Sequence, residues 1–114
     1  MSLRYPSIET VALRIAVMLK RSDKRRARLS EKSFRILSER ITLRDAFVVS
    51  VRDYLDEIGV VLIRLDRGGF ALINSSALEG APPILVKSLI PKFKHISDDE
   101  LWIELGFSES QDLE

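Results

Sequence analysis

The stretch that most constrains the fold is VVLIRLDRGGFALI, residues 60–73, in which a short turn sequence separates two apolar runs. Gly68 and Gly69 accept the positive φ angles of tight turns because they carry no Cβ atom. Asp66-Arg67-Gly68-Gly69 is therefore predicted as the turn of a β-hairpin, with strands over residues 60–65 and 70–73. A chain that forms this hairpin has to cover its apolar face with other elements.

The first apolar stripe predicts a helix over residues 8–21, with Ser7 as its N-cap. The residues expected on its core-facing side are Ile8, Val11, Ile15 and Leu19. Four more apolar residues widen the stripe beyond one face, namely Leu13, Ala16, Val17 and Met18. Because a helix this apolar has to bury more than one side, we expect the C-terminal segment or a second subunit to cover it.

Two further helices are predicted after a short strand at residues 27–29. Ser30 is the predicted N-cap of the second helix, whose inner face comprises Phe34, Leu37 and Ile41. Residues 42–45, Thr-Leu-Arg-Asp, approximate a capping box that starts the third helix. The apolar stripe of this helix comprises Phe47, Val48, Val51, Leu55 and Ile58. Gly59 then supplies the left-handed residue that commonly ends a helix.

The predicted order is helix, strand, helix, helix, strand, turn, strand. Over roughly residues 7–76, this order resembles the winged helix-turn-helix fold, and the stretches that carry it are RLSEKSFRIL, ITLRDAFVVSVRDYLDEIG and VVLIRLDRGGFALI. The resemblance implies an α+β, mainly α fold with a three-helix core and a small β-hairpin wing. We assign the winged-helix domain to residues 1–78.

The segment after residue 78 is expected to be a C-terminal helical extension, residues 79–106, that packs on the core or forms a dimer surface. Residues 84–90 predict a short helix or strand ended by Pro91. Ser97-Asp98-Asp99-Glu100 predicts a capping box that opens a helix through Leu105. Residues 107–114 are expected to form a disordered acidic tail.

Charge is distributed unevenly along the chain. Residues 1–96 contain all 18 Lys and Arg against 10 Asp and Glu, whereas residues 97–114 contain seven acids and no Lys or Arg. A basic body is typical of proteins that bind polyanions. Acidic tails are also common where they serve only solubility, and the composition leaves both interpretations open.

Composition also argues against several function classes. Without cysteine, disulfides and thiolate metal sites are excluded. No apolar run approaches the ~20 residues of a membrane helix, and the N-terminus lacks the layout of a signal peptide, so we expect a cytoplasmic protein. His95 has no evident catalytic partner, and helix capping or a solvated helix face explains the acidic clusters. We therefore expect no catalytic residue, no cofactor and no metal.

The winged-helix resemblance implies binding of double-stranded DNA, as in a small transcriptional regulator or a plasmid- or phage-type DNA-binding factor. It implies that the third helix presents Arg44, Ser50 and Arg52 to the major groove, while Arg67 at the wing tip reaches phosphates or a narrow minor groove. Six cations in the loop over residues 20–28 are expected to add phosphate contacts, namely Lys20, Arg21, Lys24, Arg25, Arg26 and Arg28. This assignment requires the loop, the turn and the start of the third helix to share one surface.

Other interpretations stay open at this point. Residues 44–57 contain two arginines and four acids, a balance that repels phosphates. The excess apolar surface predicts a homodimer, or alternatively a winged helix that docks proteins without binding DNA. The residues expected in such docking are Val17, Met18, Leu101 and Trp102. An ordinary hairpin with a surface arginine would also explain the glycine-rich turn.

Overall fold

The structure, a computed structural model, describes residues 4–106 of the chain. These residues form an α+β fold in which helices predominate and a small sheet has three antiparallel strands. The chain divides into two compact units, of which the first ends at Ala81 and the second begins at Pro82. The boundary expected after residue 78 therefore lies within the first unit.

The first unit follows the element order that the sequence predicts. Its elements are α1 (Ile8–Ser22), β1 (Arg26–Leu29), α2 (Glu31–Ser38), α3 (Asp45–Glu57), β2 (Val60–Arg64), β3 (Phe70–Asn74) and α4 (Ser75–Glu79). The predicted N-caps of α1 and α2 are confirmed. The Ser7 hydroxyl accepts a hydrogen bond from the Thr10 amide at 3.1 Å, and the Ser30 hydroxyl accepts one from the Ser33 amide at 3.0 Å.

Strand β3 lies at the centre of the sheet and pairs antiparallel with β1 on one side and β2 on the other. The predicted hairpin turn is confirmed, since Gly68 and Gly69 have φ angles of 101° and 77° and the Leu65 amide donates to the Gly69 carbonyl at 3.0 Å. Side chains alternate along a strand. Phe70 and Leu72 are therefore buried on the core side of the sheet, and the side chains between them occupy the outer face.

The core of the first unit lies between its helices and the buried face of the sheet. Phe34 of α2 is fully buried, with its ring centroid 5.0 Å from that of Phe70 and 6.1 Å from that of Phe47. The other buried apolar residues are Val11, Ala12, Ile15, Leu19, Leu29, Val48, Val51, Leu55, Val60, Leu62 and Leu72. Removing these side chains from water is the dominant favourable contribution to folding.

Polar contacts connect α1 to the other two large helices. Arg14 donates to the Leu37 carbonyl at 2.7 Å and to Glu39 Oε2 at 2.9 Å, which ties α1 to the end of α2. Between α1 and α3, desolvation of the Tyr54 phenol and its hydrogen bond with Glu9 raise the pKa of Tyr54 above its ordinary value of 10.0. Both contacts join residues distant in sequence, so they depend on the packed core.

The connection between α2 and α3 differs from the sequence-based prediction. Helix α2 ends at Ser38, and Glu39 takes a left-handed conformation with φ 55°. Ile41 therefore lies beyond the helix and is 92% exposed, so its predicted place on the inner face is wrong. The capping box predicted at Thr42 is also wrong, because the N-cap of α3 is Arg44, which makes no side-chain capping bond.

The segment predicted as an exposed loop over residues 20–28 is mostly regular structure. Lys20 belongs to the last turn of α1, while Arg26 and Arg28 lie in β1. This segment belongs to the sheet because β1 pairs with β3. Side chains alternate between the two faces of a strand, and both arginines lie on the exposed face. Ile8 and Ile58, expected in the apolar stripes, are also exposed because they lie at the ends of their helices.

The described part of the second unit, residues 82–106, contains only short helices. They are α5 (Val86–Leu89), a 3₁₀ turn (Phe93–His95) and α6 (Asp98–Glu104). The predicted capping box is confirmed, since the Ser97 hydroxyl accepts from the Glu100 amide at 3.2 Å and the Glu100 carboxylate accepts from the Ser97 amide at 3.2 Å. No residue between 82 and 106 is buried.

Two further expectations concern the chain as a whole. The tail expected to be disordered, residues 107–114, lies outside the described residues. Among the helices of residues 4–106, none has the length and apolar character that crossing a membrane requires.

Candidate nucleic-acid interface

Seven exposed cationic side chains follow one another from the end of α1, along β1, to the hairpin turn. This set is termed the basic ridge and comprises Lys20, Arg21, Lys24, Arg25, Arg26, Arg28 and Arg67. All seven are among the residues that the sequence predicted to contact DNA. The remaining predicted residues, Arg44, Ser50 and Arg52, lie at the start of α3 and within it.

The middle of the basic ridge is built by strand β1, which is an edge of the sheet. Ala27 and Leu29 point toward the core, so Arg26 and Arg28 point to the outer face of the sheet. In the register with β3, Arg26 is opposite Ile73 and Arg28 is opposite Ala71. The two arginines are two residues apart on one strand, so their Cα atoms are separated by about 7 Å.

The hairpin turn lies against the end of β1 that carries Arg28. A Cβ atom placed on Gly69 would lie 3.2 Å from the Leu29 carbonyl oxygen, which shows how closely the two backbones approach. Arg28, Gly68 and Gly69 line one cleft. Arg67 precedes these glycines, so the turn continues the basic ridge beyond β1.

The other end of the basic ridge lies beside the C-terminal end of α3. Lys20 and Lys24 line a cleft with Ile58 and Gly59, which follow α3 directly. Lys20 and Arg21 occupy the last turn of α1, where the helix dipole favours positive charge. Asp23 then takes a left-handed conformation with φ 60° and turns the chain toward β1.

No side chain of the basic ridge forms an ion pair in the described residues, although Asp23, Glu31 and Asp66 lie beside it. The ion pairs found between residues 4 and 106 are Arg14–Glu39, Arg52–Asp53 and Arg64–Asp45, and none includes a ridge side chain. A row of unpaired cations raises the local positive potential, which extends about 8–10 Å into solvent before salt screens it. Such a row attracts phosphates.

The predicted DNA-reading residues of α3 have a different environment. Arg44 is exposed at the helix start, beside Arg40 and Phe47. Ser50 is half-buried, and Arg52 donates to Asp53 Oδ1 at 3.3 Å. The exposed side of α3 carries four acids in total, which are Asp45, Asp53, Asp56 and Glu57. This face is therefore more acidic than basic.

The structure places the start of α3 near the hairpin turn. Arg64 Nη2 lies 3.6 Å from Asp45 Oδ1, and Arg64 is the last residue of β2 before the turn, opposite Phe70. Lys20 and Lys24, by contrast, lie at the far end of α3, which is about 20 Å long.

One cation that the sequence interpretation left out of the site is Arg64. Its guanidinium lies 5.1 Å from the ring centroid of Phe70, and it lines a groove between α3 and β2 together with Val49 and Arg52. The sequence indicates that Arg64 lies on the core side of β2, because it is two and four positions after the buried Leu62 and Val60. A charged residue on the core side of a strand is expected at the edge of the core, where its charge can reach water.

No cluster of three or more His, Cys, Asp or Glu within residues 4–106 has the arrangement to hold a metal ion. Comparison of the chain with protein-family models, curated proteins and solved structures finds no match. Function is therefore inferred from the geometry and the charge of the described residues.

Proposed function

We propose that the protein is a winged-helix protein that binds double-stranded DNA by contacting phosphates through the basic ridge. The element order and the small antiparallel sheet with its glycine-rich hairpin support the winged-helix assignment. The observation that carries the binding proposal is the excess of exposed cations over acids at the end of α1, along β1 and at the hairpin turn, none of which forms an ion pair in the described residues.

The dimensions of the basic ridge suit a short stretch of DNA backbone. Strand β1 has four residues and extends about 13 Å. Successive phosphates of one DNA strand are about 3.4 Å apart along the helix axis, so β1 lying along that axis spans roughly four of them. Arginine donates to phosphate oxygens in a planar, two-pronged geometry, and each neutralised phosphate releases counterions to solvent.

The charge of α3 limits its part in this interaction. Inserting its exposed face into a major groove would bring Asp45, Asp53, Asp56 and Glu57 close to phosphates. We therefore assign binding to the basic ridge and not to base contacts from α3. Because phosphate contacts carry no sequence information directly, the proposed interaction is only weakly selective for sequence.

A salt titration of binding to a random-sequence duplex, followed by fluorescence anisotropy, tests this proposal. We expect the logarithm of affinity to fall with the logarithm of salt concentration with a slope of about −4. Replacing Arg25, Arg26 and Arg28 together by Ala should weaken binding at least about tenfold and reduce the slope by about 3.

The matched control replaces Arg44, Arg52 and Arg64 by Ala, which removes the same charge from the side of α3 and β2. This variant should keep most of the salt slope. If the control variant lost the slope and the ridge variant kept it, the ridge assignment would be wrong and groove reading by α3 would be favoured. A wild-type protein that binds no duplex at low salt would refute DNA binding altogether.

A second function, protein docking, is favoured by a separate observation. Leu13, Val17 and Met18 leave an apolar face of α1 exposed, and no described residue of the second unit is buried. Docking through these surfaces requires no DNA. The two functions are therefore separable, because the basic ridge and the apolar face of α1 are altered by different substitutions.

A further inference from the structure

The second unit exposes more apolar surface than a segment of its size retains when it is stable alone. Eight large apolar residues between positions 82 and 106 are about half exposed or more, namely Ile84, Leu85, Val86, Leu89, Phe93, Trp102, Ile103 and Leu105. A segment of about 25 residues buries too little surface to offset the entropy of ordering its chain. Its helices therefore need a surface to pack against.

The first unit offers such a surface between α1 and α2. Leu13, Val17, Met18 and Leu37 line an open groove of about 520 Å³. The three α1 residues are four and five positions apart, so they share one face of the helix, and each is 42–44% exposed. An apolar groove along a helix is the kind of site that binds an amphipathic helix.

Helix α6 matches this groove in charge. Arg14 and Arg21 lie on the groove rim. Arg14 is already paired with Glu39 at 2.9 Å, so Arg21 is the rim cation that forms no ion pair in the described residues. Helix α6 opens with three acids, Asp98, Asp99 and Glu100, and ends with Glu104. Opposite charges at a groove and its ligand set orientation and speed association.

Helix α6 also matches the groove in length and in apolar pattern. Its seven residues extend about 10 Å, and the groove-lining part of α1 from Leu13 to Arg21 extends about 12 Å. Leu105 lies four positions after Leu101 and three after Trp102, so it neighbours both along one side of the helix. Leu105 is 71% exposed and Trp102 is 48% exposed.

We propose that α6 of one copy docks into the groove between α1 and α2 of a second copy, and that the second copy does the same in return. Each chain contains one groove and one α6, so reciprocal docking gives a twofold symmetric dimer with two equivalent contacts. This inference goes beyond DNA binding, because the dimer forms without nucleic acid.

Sedimentation equilibrium of the full chain, without DNA, tests the dimer. We expect the wild type to dimerise, and Val17→Asp in the groove or Leu105→Asp in the docking helix each to raise the dimer dissociation constant at least about tenfold. Ile41→Asp is the matched control, because Ile41 is 92% exposed and lies outside the groove, and it should leave the constant unchanged. Circular dichroism checks that each variant keeps its helix content.

Mixing the two variants distinguishes exchange between chains from docking within one chain. The Leu105→Asp chain keeps an intact groove and the Val17→Asp chain keeps an intact α6, so an equimolar mixture should form mixed dimers through one docking contact. A monomeric wild type, a dimer that both substitutions leave unchanged, or a mixture without mixed dimers would each overturn the proposal. A monomeric wild type would point to docking within one chain or to a different partner, and a mixture without mixed dimers would show that the dimer forms through another surface.

Discussion

Phe34 in the first unit and Phe93 in the second are the same residue type in opposite surroundings. Phe34 is fully buried and packs against Phe70 and Phe47, whereas Phe93 is 49% exposed. Both units are rich in apolar residues, but only the first stacks helices on a sheet. Apolar composition alone therefore does not make a core, because a core needs two layers of secondary structure that face each other.

The same contrast concerns what holds each unit together. In the first unit, helix caps, strand pairing and aromatic packing stabilise the same set of helices and strands. In the second, the clearest stabilising feature is the local capping box of Ser97 and Glu100. We infer that the first unit is stable alone and that the second depends on a partner surface.

The largest expected difference between the units is in their phenylalanines. Phe34→Ala should lower the free energy of unfolding by about 3–5 kcal/mol, because it empties the centre of a packed core. Phe93→Ala should lower it by less than about 1 kcal/mol, because half of its ring is already in water. Urea denaturation of both variants measures the difference, and similar losses would show that the second unit has a core of its own.

A smaller difference is expected at two glycines with positive φ. Gly69→Val should cost about 1–3 kcal/mol, because φ is 77° and the new Cβ would meet the Leu29 carbonyl oxygen at 3.2 Å. Gly106→Val also strains the backbone, at φ 97°, but meets no atom within 4 Å. Thermal unfolding should therefore show a lower midpoint for the first variant and little change for the second. Equal shifts would mean that the contact with β1 adds no cost.

The helix caps offer a finer comparison. Ser30→Ala should lower the free energy of global unfolding by about 1 kcal/mol, because α2 carries the central Phe34. Ser97→Ala removes the same type of bond from α6, but its effect should appear as faster amide hydrogen exchange in α6 alone. A drop in global stability with Ser97→Ala would indicate that the two units unfold together.

The smallest effect is expected from removing the second unit. A chain that ends at Ala81 should unfold within about 0.5 kcal/mol of the full chain, provided that both are measured at concentrations where the full chain is monomeric. Chemical denaturation of the two chains makes this comparison. A large loss of stability on truncation would show that the first unit depends on the second for its stability.

Features with a local physical cause were predictable from the sequence. The serine caps at Ser7, Ser30 and Ser97 and the turn at Gly68-Gly69 each involve residues within a few positions, and the structure confirms them. The element order of the first unit follows from these signals together with apolar spacing. The seven cations of the basic ridge were also predicted to contact DNA, and the structure shows each of them exposed.

Features that depend on distant contacts were not predictable in the same way. Helix α2 ends before Ile41, where Arg14 from α1 binds the Leu37 carbonyl and Glu39. Arg26 and Arg28 belong to a strand because β3, more than 40 positions later in the chain, pairs with them. The ion pair between Arg64 and Asp45, which sets the start of α3 beside β2, likewise joins separate elements.

By itself, the sequence determined where helices begin, where the hairpin turns and which segments carry charge, because capping, glycine conformations and side-chain charge act over a few residues. Only the tertiary structure decided that Arg26 and Arg28 lie on a sheet edge, that α3 exposes an acidic face, and that the second unit buries none of its described residues. These outcomes depend on which surfaces meet across the core, and apolar spacing along a chain does not specify which partner covers each stripe.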